Sequence, residues 1–253
     1  MKTNPIFTKI AVALTLLFSC SLAGAFDQSH AAFDKVLKKY VSNKKVDYAG
    51  LKNDQGALVA YLDTLSKVPK SEFKSWNDQQ ELAFLINLYN AATLKLVIDY
   101  YPVKSIKKIG GFKGPWKQPV VKAFGKTYTL DQIEHEMIRK DYDDPRAHFA
   151  INCASEGCPS LRNEVYQAAR LDAQLHQQGL IFMNDASKNR VDSSKGRLYL
   201  SPIYDWFKGD FVAKSGSVEK FIAPFLSASE REAVLSGRLK VVYTDYDWEL
   251  NQK

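Results

Sequence analysis

Two cysteines stand close together in the run His148-Phe149-Ala150-Ile151-Asn152-Cys153-Ala154-Ser155-Glu156-Gly157-Cys158-Pro159. A thiol nucleophile needs a base to take its proton and donors to hold the oxyanion it creates. Cys153 is the better nucleophile candidate of the two. His148 to Asn152 reads as a buried strand from its length and apolar content. Five residues at about 3.3 Å each place His148 and Cys153 roughly 16 Å apart along that strand. Their odd separation also puts them on opposite faces. A base for Cys153 therefore has to come from elsewhere. His135, flanked by Glu134 and Glu136, is the first candidate. If the chain reverses after Cys153, His148 approaches Cys158 instead. The successive backbone N–H groups of 154–158 are then available to cradle an oxyanion.

The same pair supports a second reading, a Cys153–Cys158 disulfide. Only four residues lie between them, so closing the loop stabilises by about 2 kcal/mol in the chain-entropy model. Its effect would be to fix the shape of one loop. A zinc set of Cys153, Cys158, His135 and His148 lacks the close histidine spacing of common zinc sites. No metal and no cofactor are expected. There is no serine-nucleophile motif, no Walker sequence and no His-Glu-x-x-His.

Other polar residues are candidates to orient or bind. Asn87 and Asn90 lie three apart in a strongly apolar stretch and are neighbours on a helix surface. Each must find hydrogen-bond partners when buried. They either tie neighbouring loops to the helix or line the site, and Asn152 is a third positioning amide. Arg146, in the turn Asp144-Pro145-Arg146, either pairs with Asp205 or Glu134 or receives a substrate carboxylate. Asp205-Trp206-Phe207 with Asp210 combines carboxylates and aromatics, and Asp210 can cap a helix.

These side chains have to be positioned by elements the pattern outlines. Residues 27–42 form an amphipathic helix with Phe33, Val36, Leu37 and Tyr40 on one stripe. Val46-Asp47-Tyr48 is a short extended piece, and residues 54–66 form a second helix. Residues 79–100 are apolar almost all round and predict a buried central helix that Pro102 ends. Residues 103–118 read as a loop whose glycine spacing matches no phosphate loop. A hairpin spans Val120 to Thr129, turning at Phe124-Gly125-Lys126. Thr129 and Gln132 open a helix over about 130–140. Residues 164–184 are helical. A second hairpin pairs Arg190-Val191-Asp192 with Arg197 to Leu200. Helices at 217–226 and 229–236 follow, the latter capped by Ser229 and Glu232, and Leu239 to Tyr246 is a closing strand. The fold class is α+β, a helix-rich single domain with short antiparallel hairpins around the central helix.

The first 25 residues read as a secretory signal peptide: Lys2 and Lys9, an apolar run from Ile10 to Phe18, then Ala23-Gly24-Ala25. Residues 26–253 form the domain. The protein is expected in the periplasm or outside the cell, with lipidation at Cys20 as the alternative. No later segment reads as a membrane span. The formal net charge of +7 falls to +5 without Lys2 and Lys9, and the lysines are scattered. A nucleic-acid site needs a continuous basic stripe, so no nucleic-acid partner is expected.

Several pieces together resemble the domain-of-unknown-function family 547 (DUF547), common among bacterial exported proteins. They are Val46-Asp47-Tyr48, Phe84 to Asn90, Leu130 to His135, Asp144-Pro145-Arg146, His148 to Pro159 and Ile203 to Phe207. The resemblance implies no particular activity. The residues themselves suggest a thiol-dependent amidase, peptidase or acyl transferase acting on an envelope peptide or polymer. The alternative is a non-catalytic periplasmic binding or scaffold domain.

Overall fold

The structure is a computed structural model. It describes residues 25–253, so the signal-peptide reading of the first residues and the lipidation alternative at Cys20 fall on residues outside those described. At its centre is the helix Asp78–Tyr100. Asn77 caps it, accepting from the Gln80 N–H while the Gln80 side chain accepts from the Asn77 N–H. The helix stops where Tyr101, preceding Pro102, turns extended. Between Glu81 and Ile98 only Lys95 escapes burial. The helix is long and apolar enough to cross a membrane, yet its apolar surface is buried inside the protein. Each large apolar side chain so enclosed stabilises by about 1.5–3 kcal/mol.

Helices Ala31–Tyr40, Tyr48–Asn53 and Gly56–Ser66 build a first hydrophobic core with it. Phe33, Val36, Leu37 and Tyr40 are the buried stripe of the first of these. The Val46-Asp47-Tyr48 piece is only partly extended: Lys45–Val46 is a short strand, and Asp47 caps the helix that Tyr48 begins. Thr129 and Gln132 exchange reciprocal capping bonds. The helix they open is a π-helix over Gln132–Ile138, whose Glu134 carbonyl accepts from the Arg139 N–H.

A second core gathers Phe149, Phe182, Tyr204, Phe211 and Phe221 with their neighbours. Its sheet joins Arg190–Asp192 and Arg197–Leu200 as the expected antiparallel hairpin. The strand Lys240–Tyr243 pairs with Arg197–Leu200 in parallel. A parallel partner needs a long crossover, and the helices between Ile203 and Leu235 supply it. The helix expected over 229–236 runs Ala228–Leu235, and its capping pair lies two residues early, Ser227 with Glu230. The long helix is likewise shorter than 164–184, running Leu171–Met183 after a 3-10 turn.

One sequence expectation fails where it matters most. His148 to Asn152 is not a strand: Ala147–Ala150 is a single helical turn. It lies at the seam of the two cores, with Phe149 in the second and Ala147, Ala150 and Ile151 in the first. A short apolar run bounded by turn residues has the same signature as a buried strand. The helical turn shortens the path, so the roughly 16 Å separation inferred for His148 and Cys153 does not apply.

Candidate functional site

Cys153 follows that turn and is partly exposed, while Cys158 is buried beneath it. The loop between them is held tightly. Ala154 takes a left-handed backbone with φ 61°, unusual for a residue with a Cβ. Asn152 Oδ1 accepts from the Ala154 N–H at 2.9 Å, and the Ala154 carbonyl accepts from the Asn251 N–H at 3.1 Å. Asn152 Nδ2 donates to the Pro159 carbonyl at 2.8 Å, closing the far end. Asn90, on the central helix, donates to the Ala150 carbonyl and accepts from the Asn152 N–H.

The Cys153 sulfur lies 3.0 Å from the Cys158 sulfur, 3.2 Å from Ser155 Oγ and 3.2 Å from the Tyr246 hydroxyl. A disulfide needs about 2.05 Å, so both cysteines are free thiols in this structure. The Cys158 thiol, Ser155 and Tyr246 stabilise a thiolate on Cys153 and lower its pKa. Burial and the neighbouring Cys153 charge push Cys158 the other way. Four of the five backbone amides of 154–158 are engaged elsewhere, Ala154 by Asn152 Oδ1, and only the Ser155 N–H is directed at the Cys153 sulfur. Glu156 N–H donates to the Glu249 carbonyl, Gly157 N–H to Asp247, and Cys158 N–H to Ser155.

The Glu249 and Asp247 carbonyls belong to the C-terminal segment after the last strand. It is extended, with Asp245, Asp247 and Glu249 outward and Tyr246 and Trp248 turned inward. That two-residue alternation is the strand period. A Cβ added at Gly157 would stand 2.9 Å from the Tyr246 ring. The missing side chain is thus what lets the ring lie on the loop with its hydroxyl at the sulfur. Replacing Tyr246 with Phe removes one donor to the thiolate. The pH midpoint of Cys153 alkylation is expected to move upward, read from iodoacetamide rates across pH.

Facing Cys153 is a pocket of about 220 Å³. Trp116, Trp206, Phe207 and Trp248 join Tyr89 and Tyr246 in its wall, and Asp131, Glu134, His135 and His148 supply its polar groups. Three of the chain's four tryptophans therefore border one pocket. His148 is buried and stacks on Phe207, with ring centroids 4.0 Å apart. Its Nε2 lies 2.8 Å from Asp210 Oδ2. Asp210 also accepts from Arg139 Nε and a terminal Arg139 nitrogen at 2.7 and 2.9 Å. Those bonds hold Asp210 ionised far below the usual carboxylate range, the His148 contact being the largest cause. Burial lowers the His148 pKa more than Asp210 raises it. The imidazole is therefore neutral near pH 7. A proton on Nε2, donated to the carboxylate, leaves the Nδ1 lone pair as the basic position.

His135 is bound differently. Its Nδ1 lies 2.8 Å from Arg139 Nη1, which can only donate, so the neutral ring carries its proton on Nε2. Burial and the Arg139 charge lower its pKa. His135 thus offers the pocket a donor rather than a base. Glu134 is buried and accepts from the Tyr89 hydroxyl at 3.2 Å. Burial raises its pKa to about 7, with the nearby Cys153 charge adding to the shift.

A carboxyl whose folded pKa lies above its unfolded value stabilises the fold below the unfolded pKa. That contribution is lost as pH rises through the folded value. Between pH about 4.5 and 7, Glu134 is expected to remove on the order of 3 kcal/mol from stability. Glu134→Gln is expected to flatten that slope and make the protein more stable than the parent at pH 8. Urea denaturation at the two pH values measures it.

The pocket brings together Cys153, His135, His148 and Glu134 from the sequence-predicted set. Asn90 and Asn152 hold the loop from behind. Asn87 is bound to the Tyr166 backbone, donating to its carbonyl at 2.7 Å and accepting from its N–H at 3.0 Å. Arg146 pairs with neither Asp205 nor Glu134. It binds Asp144 at 2.7 Å and Asp172 at 2.8 Å, its neighbours across the turn and on the following helix. Asp205 is exposed and outside the pocket wall. Asp210 makes no capping bond and serves His148 instead. Arg139, Tyr246 and Trp248 were not singled out from the sequence. The Asp-Tyr-Asp-Trp-Glu alternation of 245–249 is the signal that marks the last two.

Residues 73–183 match the model of a family described as "Protein of unknown function, DUF547". The matched stretch contains Glu134, His135, His148, Cys153 and Cys158 and supports that family. It ends before Asp210, Tyr246 and Trp248, and leaves outside the Val46-Asp47-Tyr48 and Ile203 to Phe207 pieces of the resemblance. No curated protein and no solved structure matches the chain.

Proposed function

We propose, from a DUF547 segment that carries the thiol and both pocket histidines, that the protein is a cysteine-dependent acyl hydrolase or transferase. Cys153 attacks the carbonyl carbon of an amide or ester. His148, oriented by Asp210, takes the thiol proton at Nδ1 and returns it to the leaving group. Water or a second nucleophile then releases the acyl group from sulfur. The Tyr246 hydroxyl, the His135 Nε2–H and protonated Glu134 are the donors facing the reacting carbonyl. The observation that carries the reading is one pocket lined by a thiol with a lowered pKa and a buried imidazole fixed 2.8 Å from a carboxylate. The leader-like first 25 residues favour an exported setting, and an envelope peptide or polymer amide as substrate.

The second reading, a binding domain without catalysis, draws on the partners of the Cys153 sulfur. They are Cys158, Ser155 and Tyr246, with no imidazole among them. Incubation with p-nitrophenyl acetate, followed by peptide mass mapping, separates the two. The catalytic reading expects an acetyl group on Cys153 that turns over, and its loss in Cys153→Ala. Absence of the adduct in the folded parent protein, or release of nitrophenol undiminished in Cys153→Ala, would leave the binding reading.

A further inference from the structure

Cys158 makes and breaks no covalent bond in that acyl chemistry, yet its sulfur is the nearest partner of the Cys153 sulfur, at 3.0 Å. The two thiols are inequivalent. Both line the pocket, but Cys153 is partly exposed whereas Cys158 is buried. The Cys153 N–H donates to the Cys158 sulfur at 3.0 Å, a bond that favours charge on Cys158 once the outer sulfur is neutral. The loop joining them is clamped by Asn152 and by the 247–251 segment, so the sulfurs are held together without a covalent link. Closing from 3.0 Å to about 2.05 Å asks for about 1 Å of sulfur movement.

We propose that Cys153 and Cys158 form a dithiol–disulfide couple, with Cys153 attacking and Cys158 resolving, that reduces a low-molecular-weight disulfide entering the pocket. The Cys153 thiolate attacks one sulfur of RSSR, and RS⁻ leaves and is protonated. Cys158 then loses its proton and attacks the Cys153 sulfur of the mixed disulfide, expelling the second RS⁻. The protein dithiol and RSSR become the protein disulfide and two RSH. Two electrons pass from the protein sulfurs to the small disulfide, and the two thiol protons end on RSH. This activity does not depend on the acyl-transfer reading.

Oxidised glutathione is the probe. The full-length chain is incubated with it, quenched in acid and mapped by peptide mass, which separates residues 148–160 from Cys20. The parent protein is expected to lose two hydrogens within that peptide and keep no lasting adduct. Cys158→Ser is expected to hold one glutathione on Cys153. In Cys153→Ser, capture at position 158 is expected to fall by about tenfold or more, because the remaining thiol is buried and its pKa is raised. The proposal is overturned if the parent protein does not react or retains glutathione on Cys153 like Cys158→Ser. It also fails if Cys153→Ser is captured as fast as the parent.

Discussion

Replacing His148 with Ala is expected to slow acylation of Cys153 by about 10²–10⁴-fold at neutral pH. The imidazole is buried and is fixed by Asp210 on one edge and Phe207 on one face. No other side chain in the pocket offers a neutral nitrogen lone pair, since the His135 Nδ1 is engaged by Arg139. Asp210→Asn separates orientation from proton transfer. An amide there can donate to Nε2, which turns the tautomer and places the proton on the nitrogen meant to act as base. Its rate is therefore expected to fall with His148→Ala, while Cys153 remains open to iodoacetamide. Single-turnover acetylation with p-nitrophenyl acetate measures both. If His148→Ala and Asp210→Asn acylate at the parent rate while His135→Ala does not, the base is His135 and the tautomer argument is wrong.

Asn90→Ala is expected to destabilise the fold by about 2–6 kcal/mol, because it orphans two buried backbone groups at about 1–3 kcal/mol each. The amide donates to the Ala150 carbonyl and accepts from the Asn152 N–H. It thereby joins the central helix to both ends of the short path into Cys153. Urea unfolding gives the stability loss. The same variant is expected to lose the low-pH alkylation of Cys153, since a loosened loop lets the sulfur drift from Tyr246 and Ser155. Asn87→Ala is the control: it frees the Tyr166 backbone on the same helix and should cost similar stability while leaving the alkylation profile in place. An equal change in thiol reactivity for both would place the loop's order in the whole core rather than in Asn90.

The secondary structure that periodicity governs was legible. The central helix, the stripe of the Ala31–Tyr40 helix, the two hairpins and the Thr129/Gln132 cap all follow from local patterning and capping chemistry. The α+β class followed with them. His148–Asn152 was misread because five apolar residues carry no period long enough to separate a helical turn from a strand. That one misreading set His148 roughly 16 Å from Cys153 and made His135 the first candidate base.

Sequence by itself determined which chemical groups exist here: two thiols with four residues between them, imidazoles, carboxyls, and asparagines stranded in an apolar helix that had to find partners. Tertiary structure alone decided which of them meet. Asp210 reaches His148 across 62 positions, and Tyr246 reaches Cys153 across 93. No local propensity encodes such contacts. They arise when two hydrophobic cores close on a shared seam and a C-terminal segment of alternating acids and aromatics is laid over the loop. Burial at that seam then sets the charges, raising the Glu134 pKa and keeping His148 neutral, as removal from water disfavours the charged form of each.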